Sequence, residues 1–228
     1  MGKISFTSAG AVKIRRISES TIHRLSVYYR SLAILENEGY HTVSSKELAK
    51  REKLTPAQVR KDLSFFGSFG TRGLGYPTKE LKQRIAGILG VDRVWHVALV
   101  GAGNIGSALA AYKEFTKQGF EVNSIFDNDQ RKIGSNHRGI KISDIATLPE
   151  ALQKHHIEIV VIAVPASQAQ RIADICVEVG VKAILNFAPI NLKVPPDVVL
   201  RTVNMSMEME YLSFYLCNRH VIDVPGKG

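Results

Sequence analysis

The sequence predicts an α/β chain in two parts: a small, cationic, mostly helical front part and a parallel sheet with helices on both faces. Three observations predict it. First, the 228 residues carry a net charge of +9, and the whole excess lies in residues 1–90, which hold 16 Lys and Arg against 7 Asp and Glu. Residues 91–228 hold 14 of each and are neutral. Second, the front part reads as three helices, a glycine-rich turn and a connecting helix. Third, the rest reads as strands alternating with helices, the pattern of a parallel sheet. The expected divisions are a basic arm (1–20), a first domain (21–90), a sheet domain (91–203) and a C-terminal helix with its tail (204–228).

Composition narrows the classes. Hydrophobic residues make up 45 % of the chain, enough for a core and too many for a disordered chain. No apolar run approaches the roughly 18 residues a membrane span needs. The basic N-terminus leads into no apolar segment, so no signal peptide is expected. Cys176 and Cys217 stand alone in apolar patterns, which suits a reducing cytoplasm and argues against a disulfide scaffold or a cysteine-based zinc site. No metal and no catalytic residue is expected. His155 and His156 read as the end of a helix. Cys176 reads as core.

In the first domain, Thr21 opens a helix whose apolar residues include Leu25, Tyr28, Leu32 and Leu35, and Gly39 stops it. Ser44-Ser45-Lys46-Glu47 is a capping box, with Ser44 as cap. Thr55-Pro56-Ala57-Gln58 opens a third helix in the same way, Gln58 closing the box. Val59, Leu63 and Phe66 form its apolar stripe, leaving Arg60 and Lys61 outward. Residues 67–75 contain four glycines and read as a tight hairpin with Arg72 near its tip. Thr78 is expected to cap a further helix ending at Gly90. This order matches a winged helix-turn-helix, whose third helix enters the major groove of DNA. Lys and Arg that neutralise phosphates release counterions and supply much of such binding. Ser44, Ser45, Lys46, Gln58, Arg60, Lys61 and Arg72 are the candidate contacts.

In the second part, His96 to Val100 reads as a buried strand. Gly101-Ala102-Gly103-Asn104-Ile105-Gly106 follows it, and Ser107 to Gln118 reads as one helix. Further strands are expected at 122–126, 157–164, 181–187 and 198–203, with a helix at 166–179. The strand, the glycine turn and the helix are the context a dinucleotide-binding GxGxxG requires. Asp127 stands at a strand end about twenty residues beyond the last glycine. Gly101 makes the turn, Gly103 admits a pyrophosphate, and Gly106 lets helix and strand approach. The helix N-terminus favours an anion. Asp127 can accept from a ribose diol and would repel a 2′-phosphate, which favours NAD(H). A terminal helix from Met205 is apolar nearly all round, so a partner subunit is expected to cover it.

Together these residues resemble the Rex family, redox-sensing bacterial transcriptional repressors. The resemblance runs from about His23 to Leu216. It is carried by Tyr28-Tyr29-Arg30, Ser44 to Leu48, Gln58 to Leu63, the Phe66-to-Tyr76 wing, Gly101 to Gly106, Phe126-Asp127 with Lys132-Ile133-Gly134, Ala163 to Ala166, and Leu185 to Pro189. It implies a cytoplasmic homodimer with an exchanged C-terminal helix. The dimer binds palindromic operator DNA when NADH is scarce and lets go when NADH binds. It implies a nicotinamide neighbourhood of Tyr112, Ala163, Pro165, Asn186, Phe187 and Ala188, with Lys132 as a further cofactor-binding residue. It also implies an inter-subunit pair between an arginine of the first helix, matched to Arg24, and an aspartate whose position is held here by the uncharged Asn204. A neutral hydrogen bond there is worth less than a charge-assisted one. Two other readings are a small NAD-dependent oxidoreductase with a basic accessory domain, and a CoA-binding domain with the same strand–glycine–helix opening. The wing favours the sensor over both.

Overall fold

A computed structural model of the chain describes residues 17–70 and 73–218. The chain divides into two compact units, Met1–Val94 and Trp95–Gly228. The expected basic arm lies, as far as residue 16, outside the described residues, as do Arg72 and the tail beyond residue 218.

The first unit opens with helix α1 (Glu19–Asn37), two residues earlier than expected, because Ser18 is its N-cap and accepts from the Thr21 N–H. Strand β1 (Thr42–Val43) leads into α2 (Ser45–Arg51). Its capping box forms as read: the Ser44 hydroxyl accepts from the Glu47 N–H, and the Glu47 carboxylate accepts from the Ser44 N–H. That backbone bond holds the Glu47 carboxyl below the usual range. Helix α3 (Pro56–Ser64) is capped by Thr55. The reciprocal half of the box, however, is not made. The Gln58 amide turns forward instead, its nitrogen donating to Asp62, and this charge-assisted bond is stronger than the neutral one its oxygen would accept from the Thr55 N–H.

Strand β2 (Tyr76–Pro77) pairs antiparallel with β1, Val43 opposite Tyr76. The tip of the expected hairpin, residues 71–72, lies outside the described residues; the strand that follows it completes a two-stranded sheet with β1. The glycines of this stretch are needed for close approach. A Cβ on Gly75 would lie 2.7 Å from the Val43 carbonyl oxygen, and one on Gly70 would lie 2.2 Å from that of Gly75. Helix α4 (Thr78–Leu89) ends at Gly90, in the left-handed region. Thr78 is not the cap but the first helical residue, and its buried hydroxyl has no hydrogen-bond partner. Pro77 takes the cap position because its extended backbone completes β2. Leu25, Tyr28, Leu32, Leu48, Val59, Leu63, Leu81 and Ile85 form the core of this unit.

The second unit is built on strands β3 (Trp95–Val100), β4 (Phe120–Asp127), β5 (Asn136–His137), β6 (Ile140–Asp144), β7 (Ile159–Ile162), β8 (Ala183–Asn186) and β9 (Val199–Thr202). Their order is β5-β6-β4-β3-β7-β8-β9. All neighbours are parallel except the short β5 edge. Helices α5 (Asn104–Ala110), α6 (Lys113–Lys117), α7 (Leu148–Lys154) and α8 (Ala166–Glu178) cover the sheet, and α9 (Met205–Cys217) follows it. Successive residues of β3 feed two cores, Ala98 and Val100 into one, Val97 and Leu99 into the other. That is the two-sided burial a parallel sheet requires. Cys176 is core, its thiol pushed up to about 12 by burial. The single helix expected over 107–118 is two, broken where Tyr112 leaves helical backbone (φ −79°, ψ 99°). The β5–β6 edge was not expected: its strands are short and polar.

Candidate functional sites

Leaving out β5, the strand order β6-β4-β3-β7-β8-β9 reverses direction of travel between β3 and β7. In open α/β sheets ligands bind outside the strand ends at that point. The chain leaves β3 through Gly101, at φ +102°. A Cβ there would lie 2.4 Å from the Ala163 carbonyl oxygen at the end of β7, and one on Gly106 would lie 1.8 Å from that of Gly101. Around Gly103, by contrast, nothing stands within 4 Å of the same position. Two glycines thus close the turn, and the third leaves space beside the backbone.

That space opens into a cavity of about 620 Å³. Gly103, Asp127, Asn128, Asp129 and Lys132 line it on one side, Ala163, Val164 and Pro165 on another, and Ile145, Pro149, Arg171 and Ile172 are among the rest of its lining. Asp127, almost fully buried, is the anchor. Its Oδ2 accepts from the Ala102 N–H at 2.7 Å and from the Lys132 ammonium at 3.1 Å; its Oδ1 accepts from the Asp129 N–H at 2.9 Å. Burial pushes this carboxyl up, but the three donors outweigh burial and hold it below the usual range. A carboxylate has about four lone-pair sites, so Oδ1 keeps one for a further donor. The partly buried Asp129 is drawn down to about 2 by Arg131, which forks onto it.

The structure brings Gly103, Asp127, Lys132, Ala163 and Pro165 together around the cavity. Gly101 and Gly106 shape its rim. The Ala102 N–H is committed to Asp127, while Asn104 and Ile105 are exposed at the start of α5. Tyr112 is exposed and packs edge-on against Phe115. Asn186, Phe187 and Ala188 stand at the end of β8, off this cavity. Asn186 is fully buried. Its amide oxygen accepts from the Ala188 N–H, and its nitrogen donates to the carbonyls of Ala188 and Ile190, which fixes the turn after β8. Arg171 was not expected; it follows Pro165 on the helix that leaves the β7 end, and that placement was the available signal.

In the first unit, α3 has an exposed ridge of Ala57, Lys61 and Ser64 opposite buried Val59 and Leu63. The ridge has two shoulders. On one, Arg60 donates to the Ser45 hydroxyl at the start of α2, with exposed Lys46 next to it. On the other lies a buried cluster that sequence reasoning missed. Arg24 of α1 forks onto Asp62, Nε to Oδ2 at 2.6 Å and a terminal nitrogen to Oδ1 at 2.7 Å. The Tyr28 hydroxyl donates to Oδ2 and the Gln58 amide to Oδ1, each at 2.8 Å. Burial pushes the Asp62 carboxyl up, yet these donors together lower it. The bond to Asp62 raises Arg24; burial, then the bond to Asp62, raises Tyr28. Arg24 is therefore engaged within its own unit. Asn204 caps α9, accepting from the Ser206 N–H.

Helix α9 has no buried residue. Met205, Met207, Met209, Leu212, Phe214 and Leu216 are each more than half exposed. Among the described residues no helix is long and apolar enough to cross a membrane.

These two units define a class: a winged-helix DNA-binding domain carrying a nucleotide-binding domain of Rossmann strand order. Comparisons with known proteins agree. Family models described as "Putative DNA-binding protein N-terminus" and "CoA binding domain" match residues 16–64 and 92–190. The redox-sensing transcriptional repressor Rex of Desulforamulus reducens is 46 % identical over 205 residues, covering 90 % of this chain and 98 % of that one. The Rex of Desulfitobacterium hafniense is 47 % identical over 208 residues, covering 91 % and 99 %. Among solved structures, RSP in complex with NAD⁺ and operator DNA superposes with a TM-score of 0.86 at 38 % identity, covering 90 % of this chain and 94 % of that one. RSP in complex with NADH gives 0.81 at 36 %, covering 90 % and 96 %. The chain belongs to the Rex family of redox-sensing transcriptional repressors.

Proposed function

We propose that NAD(H) occupies the cavity beside Gly103 and that its oxidation state decides whether α3 stays on operator DNA. The observation that carries this reading is the cavity at the reversal of strand order, with an anchored Asp127 that keeps one acceptor site. The residues fit the coenzyme. The open position at Gly103 admits a diphosphate, the spare Asp127 lone pair suits a ribose hydroxyl, and Ile145, Pro149 and Ile172 offer an apolar wall to adenine. Tyr112, Asn186, Phe187 and Ala188 are assigned to the nicotinamide end, Asn186 as the residue that shapes its turn.

Arg60 and Lys61 are assigned to the major groove and its phosphates, with Ser44, Ser45 and Lys46 on the backbone beside them and Arg72 on the wing. Such a protein works in the cytoplasm as a repressor, not an enzyme. The bare α9 belongs against a second copy of the chain. A dimer places two α3 helices on successive major grooves, about 34–36 Å apart on a palindrome. NADH and NAD⁺ differ by a hydride and one ring charge, and either shifts the dimer only by its differential affinity for the two states. Moving the population from 1:99 to 99:1 requires about 5.5 kcal/mol of such preference. Arg24 is committed to Asp62, so the inter-subunit role falls to the other arginine of α1, Arg30, which is exposed and donates to the Ser26 carbonyl.

The test is an anisotropy titration of the protein on the DNA upstream of its own gene. NADH should release the duplex and NAD⁺ should not. Asp127→Ala should raise the NADH needed for release by about tenfold, the worth of one hydrogen bond to a charged group. Binding that ignores the coenzyme's oxidation state overturns the proposal.

A further inference from the structure

We propose that Asp62 is a positioning residue for base selection: it fixes the Gln58 side-chain amide at the edge of the DNA-facing ridge, so that Gln58 meets DNA in one orientation. The inference rests on the reading that α3 is the groove-facing helix.

A fully buried carboxylate is an expensive thing to place in a recognition helix. Arg24 accounts for its charge, and Tyr28 shares Oδ2 with the Arg24 Nε. The fourth lone pair goes to Gln58, one helical turn before Asp62 on α3 itself. Gln58 is half-buried, so part of it faces outward. An unpaired glutamine would rotate its amide freely, and the oxygen and nitrogen would exchange places at the surface. Here the bond to a pure acceptor assigns the nitrogen to Asp62, because only the nitrogen can donate. The amide oxygen and the second N–H are left to face solvent or DNA. Glutamine reads adenine by accepting from N6–H and donating to N7, and this fixed pair suits that edge. The cluster thus extends from α1, through a buried charge, to one amide on the reading surface. Arg60 and Lys61 contribute charge, which is largely indifferent to sequence.

The test is selection of binding sites from a randomised duplex library. The wild type should yield a motif, and Gln58→Ala should lose the preference at one position of each half-site. Asp62→Asn should lose preference at that same position by about tenfold and retain it elsewhere. An unchanged motif in Asp62→Asn, or an even loss across all positions, overturns the inference. A wild type that selects no motif overturns the DNA-binding reading itself. Should Asp62→Asn not fold, the wild-type protein labelled with ¹⁵N-glutamine decides. The Gln58 side-chain proton bonded to Asp62 should exchange with water at least tenfold more slowly than that of an exposed glutamine. Exchange at the exposed rate overturns the inference.

Discussion

Among the described residues each unit holds one buried aspartate, and the two are used in opposite ways. Asp62 receives four donors from side chains on two helices, which fill its four lone-pair sites. Asp127 receives three, two of them backbone N–H groups from its own surroundings and the third from a half-exposed lysine. The first carboxylate is finished as a structural joint and has nothing left for a ligand. The second is anchored but incomplete, which is what a binding residue needs. A depressed carboxyl is therefore common to both and does not by itself mark function; the count of unfilled lone pairs separates them.

The largest expected effect follows from that contrast. Removing one partner of a buried pair leaves an uncompensated charge and costs about 3–5 kcal/mol. Arg24→Ala should therefore destabilise the first unit by about 3 kcal/mol, at the low end because Arg24 is partly exposed. Asp127→Ala leaves the Ala102 and Asp129 N–H groups without their acceptor and should cost the second less, about 1 kcal/mol. Hydrogen exchange resolved by unit measures both, and equal losses would break the comparison. Acid sharpens it. Asp62 is lowered in the folded state, so its contribution is present above the ordinary carboxylate value of about 4 and disappears as pH falls through its lower folded value. The first unit should hold its stability down to about pH 4 and lose it below, with a shallower loss in Asp62→Asn.

The glycines offer a comparison inside the second unit. Gly106→Ala would place a methyl group 1.8 Å from the Gly101 carbonyl oxygen, so the turn must move. Both stability and NADH binding should suffer, stability by about 2–4 kcal/mol. Gly103→Ala meets nothing within 4 Å and should leave the thermal midpoint within a degree or two. Its methyl group occupies the space assigned to the diphosphate, so NADH binding alone should fall. A Gly103→Ala protein that binds NADH normally would remove the diphosphate from that place.

What could be read in the sequence was local. Ser44 and Thr55 announce their helices because caps act on N–H groups two or three residues away. The glycine motif could be read because strand, turn and helix are contiguous. Asp62 could not be found this way: its partners Arg24 and Tyr28 lie more than thirty residues earlier, and an aspartate in a helix looks like solvated surface. The break at Tyr112 was hidden because no glycine or proline marks it. The pairing of the strand after the wing with β1 could not be read, because it joins residues more than thirty positions apart. For α9 the apolar pattern was plain, yet among the described residues nothing buries it.

The smallest expected effect tests the same accounting of hydrogen-bond partners in a neutral group. Ser18, Ser44 and Thr55 all cap helices with their hydroxyls, but Thr78 does not, and its hydroxyl is buried without a partner. A buried polar group left unpaired carries a desolvation cost with no return, and an apolar group of the same shape removes it. Thr78→Val keeps the branched outline and deletes only that hydroxyl. It should leave the first unit as stable as before or more stable by up to about 1 kcal/mol, measured by urea unfolding. A loss of 1 kcal/mol or more would show that the hydroxyl has a partner, such as a bound water, and that its burial is compensated like that of Asp62.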